Sequence, residues 1–320
     1  MSTSSGTSTT SATTSANRPA TSSASGSATK PAWTRDRIEV VFFAWARWVV
    51  IAVLLVVTLL PFYYMALLSF RPIQQLLIDP ADMIPSFAEL TVRTYDQVLS
   101  STESGGQGFL VLLRNSFVVS IATVALALLA AIPGAYAISR LRFRGDRAVS
   151  FLFLSVYLFP PVVLAIPLFS FFTLVSLRGS LFGLVLVYLA QTVPVAIYML
   201  RGYFATIPVS LEEAAVVDGC SRFGVIRRIS LPLAMPSVVA TGLYVFMIAW
   251  NEFLFALLFL VENRDRWTVS LGLSQLSGSI EVPTTVLMAG SVVITVPVIA
   301  LFLMAERALV EGLTAGAEKG

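Results

Sequence analysis

The chain has 320 residues, of which 57% are hydrophobic and only 12% are charged. A soluble domain carries roughly twice that share of charged residues, so the composition indicates an integral membrane protein. The net charge of +3 is too small to indicate a nucleic-acid partner, and the absence of histidine excludes Ser-His-Asp catalysis and His-based zinc sites, so neither a catalytic residue nor a metal site is predicted.

The first 36 residues differ in kind from the rest of the chain. Residues 1–30 consist mostly of Ser and Thr and hold almost no large apolar side chain. Such a segment cannot bury enough apolar surface to offset the entropy cost of ordering it. It also lacks the basic start and apolar core of a signal peptide. We therefore predict a disordered cytoplasmic tail over residues 1–36.

Six uncharged runs farther along the chain are long enough to cross a bilayer as helices. An even number of spans places both chain ends on one side of the membrane. Most of the 21 Lys and Arg residues then fall in cytoplasmic segments if the N-terminus is inside, as the positive-inside rule requires. The predicted fold is an all-α membrane protein with six transmembrane helices and both termini cytoplasmic. The spans cover residues 48–70, 115–139, 148–177, 179–200, 229–251 and 282–305.

The segment between the fourth and fifth spans, residues 208–232, carries helix start and stop signals. Pro208 prevents the preceding span from continuing. Ser210 and Glu213 have the spacing of a capping box, and Gly219 suits the left-handed turn that ends a helix. Ser221 can cap a second short helix. These signals predict a cytoplasmic helix of two to three turns, although the residues alone are equally compatible with a reentrant loop on the membrane surface.

The same segment resembles the EAA motif in the permeases of binding-protein-dependent ABC importers. That motif reads Glu-Ala-Ala, three residues, Gly, nine residues, Ile, one residue, Leu-Pro. Every fixed position is matched here, by Glu213, Ala214, Ala215, Gly219, Ile229, Leu231 and Pro232. We call residues 208–232 the EAA loop. The resemblance implies that its helix, with Glu212 beside the motif, is a coupling helix that docks on an ATPase subunit.

Three other segments are similar to the sugar-importer permeases of this family. Residues 136–145 read YAISRLRFRG and match the pattern Tyr-Ala-x-x-Arg-x-x-Phe-x-Gly. Residues 250–253 read WNEF, and the chain ends LVEGLTAGAEKG, which is similar to the end of maltose-transporter permeases. The resemblance implies a type I ABC importer permease fold. Its parts would be a first transmembrane helix and outer loop over 37–110, a core of five helices over 111–304 and a cytoplasmic tail over 305–320.

The resemblance also implies the partners of the chain. They are a second, homologous permease, two ATPase subunits, an extracytoplasmic solute-binding protein and membrane lipid. No cofactor is expected in this chain, and ATP and Mg would be bound by the ATPase subunits, because the sequence contains no phosphate-binding loop of the form G-x-x-x-x-G-K-[ST]. The C-terminal tail is implied to contact the ATPases through Gly312, Thr314 and Gly316.

Polar residues within the apolar spans are candidates for lining the translocation pathway, because they are costly in lipid and often functional. A hydrogen bond between helices is an equally compatible role for them. Prolines in a span free backbone carbonyls, which are tolerated where protein or cavity water satisfies them. The candidate pathway residues are Asn251, Glu252, Gln191, Tyr188 and Pro160.

The predicted function is that of a permease subunit in an ATP-driven sugar importer of the cell membrane. The expected cargo is an α-glucoside such as maltose, maltodextrin or trehalose. One alternative is an ABC permease for another solute, such as glycerol phosphate, a peptide or a metal. A second is an ion-coupled carrier that acts alone, but such a carrier would usually show an internal repeat, and the sequence shows no clear one.

Overall fold

The computed structural model describes residues 35–79, 90–141, 145–279 and 281–317. These residues form helices joined by turns, and no strand is found among them. The chain divides into two units, residues 1–58 and 59–320. The prediction of an all-α fold is confirmed, whereas the predicted disorder of the tail concerns residues that lie almost wholly outside those described.

The first unit is represented by the N-terminal part of one long helix. This helix, α1 (Arg35–Ser69), has 35 residues and continues through Pro61 without a break. Its large apolar side chains between Val40 and Val57 are exposed. A helix that is apolar on all sides and buries none of them suits surroundings of lipid or of protein outside this chain.

The second unit contains the remaining helices. A π-helical turn, Ile226–Ser230, joins α9 to α10. The helices are α2 (Ile73–Ile78), α3 (Arg93–Leu99), α4 (Phe109–Arg140), α5 (Asp146–Leu158), α6 (Pro161–Leu174), α7 (Leu181–Phe204), α8 (Val209–Val217), α9 (Arg222–Val225), α10 (Leu231–Leu233), α11 (Met235–Asn251), α12 (Leu254–Leu260), α13 (Val269–Ser277) and α14 (Thr284–Ala317).

Helix α4 lies at the centre of this unit and contributes to all three clusters of buried apolar residues. One face carries Ala127, Ala131 and Ala135, which are spaced four residues apart and fully buried. They belong to one buried cluster with Ala196 and Leu200 of α7. Small residues at this spacing let two helix backbones approach closely, which is a typical arrangement for packed helices in membranes.

The third predicted span is two helices rather than one. Helix α5 ends at Leu158 and α6 begins at Pro161, with Phe159 and Pro160 both extended, at ψ of 127° and 121°. Each of these residues precedes a proline, and the proline ring disfavours the α conformation of the residue before it. Two prolines in succession therefore divide the predicted span over residues 148–177 into two helices.

The fifth predicted span is bent. The segment Arg222–Leu233 meets α11 at an angle of 77°. At its other end α11 stops at Asn251, because Glu252 is extended, and the apolar run resumes as α12. The uncharged run over residues 229–251 thus belongs to several short helical pieces rather than to one straight rod.

Within the described residues, four helices are long and apolar enough to cross a membrane. The count becomes five if the bent pair around α10 is one span. This finding agrees with a multi-pass membrane protein. The four are Glu39–Ser69, Phe109–Arg140, Leu181–Phe204 and Thr284–Glu306.

Candidate functional site

The EAA loop begins with α8, which starts directly after a proline. Pro208 is the residue before the helix, and it forms no side-chain cap. Ser210 therefore lies inside the first turn, so the predicted capping box of Ser210 and Glu213 is wrong. The fixed φ of Pro208, −59° here, already suits a helix start, and the chain turns helical two residues earlier than a Ser210 cap requires.

Helix α8 ends in the left-handed turn that the sequence predicts. Gly219 has φ of +84°. Its N–H donates to the carbonyl of Val216 at 3.0 Å, and the N–H of Cys220 donates to the carbonyl of Ala215 at 2.9 Å. These two bonds form a Schellman motif, which satisfies the last carbonyls of the helix. Ser221 then caps α9, since its hydroxyl accepts the N–H of Gly224 at 3.2 Å.

A buried carboxylate connects α8 to the end of α4. Glu212 accepts hydrogen bonds from the Tyr136 hydroxyl at 3.0 Å, the Arg140 Nε at 3.0 Å and the Ser230 hydroxyl at 2.9 Å. The side chains of Arg140 and Glu212 are only 10% and 9% exposed. Arg140 also donates through Nη2 to the carbonyl of Ile207 at 2.7 Å. We call Tyr136, Arg140, Glu212 and Ser230 the Glu212 network.

The third partner of this carboxylate reaches it from the π-helical turn. Ser230 is fully buried and is the last residue of that turn. The N–H of Leu231 donates to the carbonyl of Ile226, five residues back. The next residue, Pro232, has no N–H to continue an α-helical ladder. The wide turn therefore comes just before the Leu-Pro pair of the motif and places Ser230 beside Glu212.

The other side of α8 is exposed and largely apolar. Glu213 and Ala214 are exposed there. So are the aliphatic side chains Val209, Leu211, Val216 and Val217, which are 51%, 45%, 54% and 86% exposed. A groove of about 420 Å³ runs between α8, α9 and the end of α4. This side of α8 exposes four aliphatic side chains among the polar ones of Ser210 and Glu213, a mixed composition typical of a protein contact.

The remaining motif residues divide between the two sides of the loop. Ala215 is buried, Ile229 and Leu231 are half-buried, and Pro232 is exposed. The predicted tail residues lie in the last turns of α14, with side-chain surroundings outside the described part of the chain; they are Gly312, Thr314 and Gly316.

Two of the candidate pathway residues contact each other. The Tyr188 hydroxyl of α7 donates to Glu252 Oε2 at 2.6 Å. The same carboxylate accepts the N–H groups of Phe255 at 2.9 Å and Ala256 at 3.2 Å. Glu252 therefore satisfies the free donors at the start of α12 and joins that helix to α7.

The other three pathway candidates differ from that pair in their surroundings. Gln191 lines a cavity of about 200 Å³ beside the α5–α6 break, and its Nε2 is buried without a hydrogen-bond partner among the described residues. Pro160 is within the break itself. Asn251 is exposed, and its Nδ2 donates to the Met247 carbonyl of its own helix at 2.8 Å.

Sequence reasoning gave no role to three members of the Glu212 network. Tyr136 and Arg140 are part of the YAISRLRFRG segment, and Ser230 lies between two motif positions without being one. The spacing of Tyr136 and Arg140 was the signal available for them, because residues four apart at the end of a helix share one face. No local pattern could show that this face meets Glu212, which is 72 residues after Arg140 in the chain.

A known protein family matches most of the second unit. The family model for the binding-protein-dependent transport system inner membrane component matches residues 123–310, which include the EAA loop and helices α7 to α13 entirely. The match covers more than half of the chain.

Whole-chain relatives and a solved structure agree with this match. The inner membrane ABC transporter permease protein YcjP of Escherichia coli is 36% identical, over 84% of this chain and 94% of that protein. The trehalose/maltose transport system permease protein MalG of Thermococcus litoralis is 35% identical, over 83% and 93%. A crystal structure of a bacterial ABC transporter involved in alginate import shares the fold at a TM-score of 0.73 and 22% identity, covering 87% of this chain and 99% of the other.

The identity and coverage of these relatives exceed what a shared membrane composition would give, and the matched residues contain the motif on which the resemblance depends. Such permeases are transport subunits and are not themselves enzymes. This chain belongs to the family of binding-protein-dependent transport system inner membrane components, the permease subunits of ABC importers.

Proposed function

We propose that this chain is one of two permease subunits that together form the translocation pathway of an ATP-driven sugar importer in the cell membrane. The EAA loop docks on an ATPase subunit at the cytoplasmic side. A solute-binding protein delivers the sugar from the opposite side. The chain itself binds no nucleotide, and ATP and Mg act on the ATPase subunits.

The exposed apolar face of α8 is the observation that carries this proposal. Val209, Leu211, Val216 and Val217 extend into solvent from a helix whose other face is fixed by the Glu212 network. Exposing several aliphatic side chains on a polar segment is unfavourable unless another protein covers them. Glu213 and Ala214 of the Glu-Ala-Ala motif lie on the same exposed side, where the small side chain of Ala214 permits close approach.

Helix lengths support six membrane spans. At 1.5 Å per residue, the 13 residues of α5 and the 14 of α6 are each roughly 20 Å long, well short of the ~30 Å hydrocarbon core. Together they suffice for one crossing with a break near its middle. Counting α1, α4, α5 with α6, α7, α11 and α14 as spans, both termini lie on the side of the EAA loop, which the Arg and Lys distribution places in the cytoplasm.

The C-terminal tail is proposed to reach the same partners. Gly312, Thr314 and Gly316 follow the last span on the side of the EAA loop. Small residues in the final turns of α14 would let a partner backbone approach. We assign them to a contact with the ATPase pair.

The cargo is proposed to be an α-glucoside. The Thermococcus litoralis relative is named for trehalose and maltose, and it matches this chain along nearly its whole length. The C-terminal segment is similar to that of maltose-transporter permeases. These two likenesses favour a glucose-containing disaccharide or short oligosaccharide over a peptide or a metal.

The translocation pathway is proposed to pass beside the α5–α6 break. Pro160 and its neighbours open the helix there, and the cavity beside it is lined by Gln191 together with Phe159 and Ile248. A pyranose ring can stack on an aromatic side chain while an amide donates to its hydroxyl groups. Tyr188, Glu252 and Asn251 are assigned to the wall of this pathway, the first two as a hydrogen-bonded pair that fixes its shape.

The experiment is reconstitution of the whole complex, with partner permease, ATPases and binding protein, in vesicles. We expect uptake of labelled trehalose or maltose that requires ATP on the side of the membrane that bears the ATPases. Uptake that proceeds at the same rate without the ATPase subunits would refute the proposed function. Replacing Gln191 with leucine tests the pathway, since it should raise the apparent KM for sugar, whereas Thr192→Val, a buried neighbour, should not.

A further inference from the structure

The Glu212 network joins three segments that are far apart in the sequence. Tyr136 and Arg140 belong to the last turns of α4, Glu212 to α8, and Ser230 to the turn that leads into α11. Arg140 adds a fourth attachment through the carbonyl of Ile207, at the junction of α7 and α8. One buried carboxylate is thus the meeting point of the EAA loop and the ends of three long helices.

Apolar packing does little to hold α8 in place. Of its nine residues, Glu212 and Ala215 are buried, and its four larger aliphatic side chains are 45–86% exposed. The position of α8 relative to α4 therefore depends on the polar contacts of Glu212. Charge-assisted hydrogen bonds of about 3 Å are directional, so they fix orientation as well as distance.

A displacement of α8 must either break these contacts or move its neighbours. Breaking them would leave Arg140 and Glu212 as unpaired charges in a buried place, which is strongly unfavourable. Moving the neighbours keeps every contact. Helix α4 packs along α7 and α11 through its row of buried alanines, so a movement of its end passes directly into the helices of the bundle.

We propose that the Glu212 network is the mechanical link by which α8 moves α4 and α11 as one body, with Arg140 and Glu212 as positioning residues for energy coupling. This gives a role to the YAISRLRFRG segment, whose Tyr136 and Arg140 supply two of the three donors to the carboxylate. The inference rests on the proposed function, in which α8 is the element that the ATPase displaces.

The test compares Glu212→Gln with the wild-type complex in reconstituted vesicles. Glutamine has the shape of glutamate but not its charge, so the Arg140 guanidinium loses its counter-ion. We expect the sugar transported per ATP hydrolysed to fall by about tenfold or more, the effect of losing one charge-assisted hydrogen bond. The KM for ATP should stay unchanged, because it does not depend on movement of α4.

Two further variants separate coupling from folding. Tyr136→Phe removes one donor and keeps the ring that packs edge-on to Phe204, at 5.8 Å between centroids; it should lower the transport ratio by a smaller factor. The exchanged pair Arg140→Glu with Glu212→Arg should recover part of the lost coupling. The matched control is Glu262→Gln, which breaks an exposed ion pair with Arg178 and should couple normally.

Spin labels on α8 and α4 report the movement itself. Asp218 at the end of α8 and Leu141 at the end of α4 are both exposed and can carry labels once Cys220, the free cysteine, is replaced by serine. In the wild-type complex the label distance should stay constant between nucleotide-free and ATP-bound states, and in Glu212→Gln it should change.

Two results would overturn the inference alone: wild-type coupling in both Glu212→Gln and Tyr136→Phe, or a label distance that changes in the wild-type complex. If the Glu212→Gln complex fails to assemble, the sugar transported per ATP hydrolysed by the Tyr136→Phe complex decides: a wild-type ratio overturns the inference, and a lower ratio supports it. Uptake without ATP by the wild-type complex would instead refute the proposed function, and the inference with it.

Discussion

Replacing Gly219 with valine alters the backbone of the EAA loop without altering its packing. Gly219 has φ of +84°, and an added Cβ would meet no described atom within 4 Å. The penalty is therefore conformational, about 1–2 kcal/mol for an L-residue in the left-handed region, and at the upper end for a β-branched one. A penalty of about 2 kcal/mol corresponds to roughly a 30-fold rise in the open population of this turn.

Hydrogen exchange of the assembled complex measures this effect directly. The N–H groups of Gly219 and Cys220 close the turn, so the amide of Cys220 should exchange roughly 30-fold faster in Gly219→Val. Asparagine tolerates the left-handed conformation, so Gly219→Asn should exchange only a few times faster. ATP-driven sugar uptake should fall in the same order, because a frayed α8 transmits less movement.

The matched control is Gly202 near the end of α7. An added Cβ there also meets no described atom within 4 Å, but its φ is not in the positive range. Gly202→Val should therefore leave exchange at Cys220 unchanged. Equal exchange rates for the valine and asparagine variants of Gly219 would refute the reasoning, since only the backbone conformation distinguishes them.

Three other substitutions test the fold around the site. Tyr188→Phe removes the 2.6 Å hydrogen bond to Glu252 and should lower stability by about 1–3 kcal/mol, seen as a lower Tm than for the exposed comparison Tyr198→Phe. Ala131→Leu forces volume between α4 and α7 and should cost about 1–3 kcal/mol, whereas Ala130→Leu on the exposed side of α4 should leave Tm unchanged. Asn115→Leu removes the donor to the carbonyls of Asp265 and Trp267, at 2.8 and 3.0 Å, so trypsin should cleave faster after Arg264 and Arg266; an unchanged cleavage rate would show that other contacts hold this turn.

The helix start and stop signals of the EAA loop show which features local sequence patterns can predict. Gly219 and Ser221 were predicted correctly because a left-handed turn and a side-chain cap involve residues within three positions of each other. Ser210 failed as a cap because Pro208, two residues earlier, also starts helices and determines the first turn. Both residues are local signals for a helix start, and the sequence does not show which of them forms it.

The apolar runs likewise show which features the sequence predicts and which it does not. Their lengths predicted a multi-pass helical protein, since any stretch of about 20 uncharged residues must satisfy its own backbone in lipid. The full break at Phe159 and Pro160 and the 77° bend before α11 were not predicted. Whether a proline bends or divides a helix depends on what packs against the freed carbonyls, and those neighbours come from other parts of the chain.

The sequence by itself determined that this chain is a membrane permease with an EAA loop, because hydrophobic length and motif spacing are properties of neighbouring residues. Only the tertiary structure decided that Glu212, one position before the motif, is buried, and that Tyr136, Arg140 and Ser230 meet there. The physical reason is that a buried charge must find its partners wherever the fold brings donors together, and the distance between those donors along the chain sets no limit on how close they lie in space.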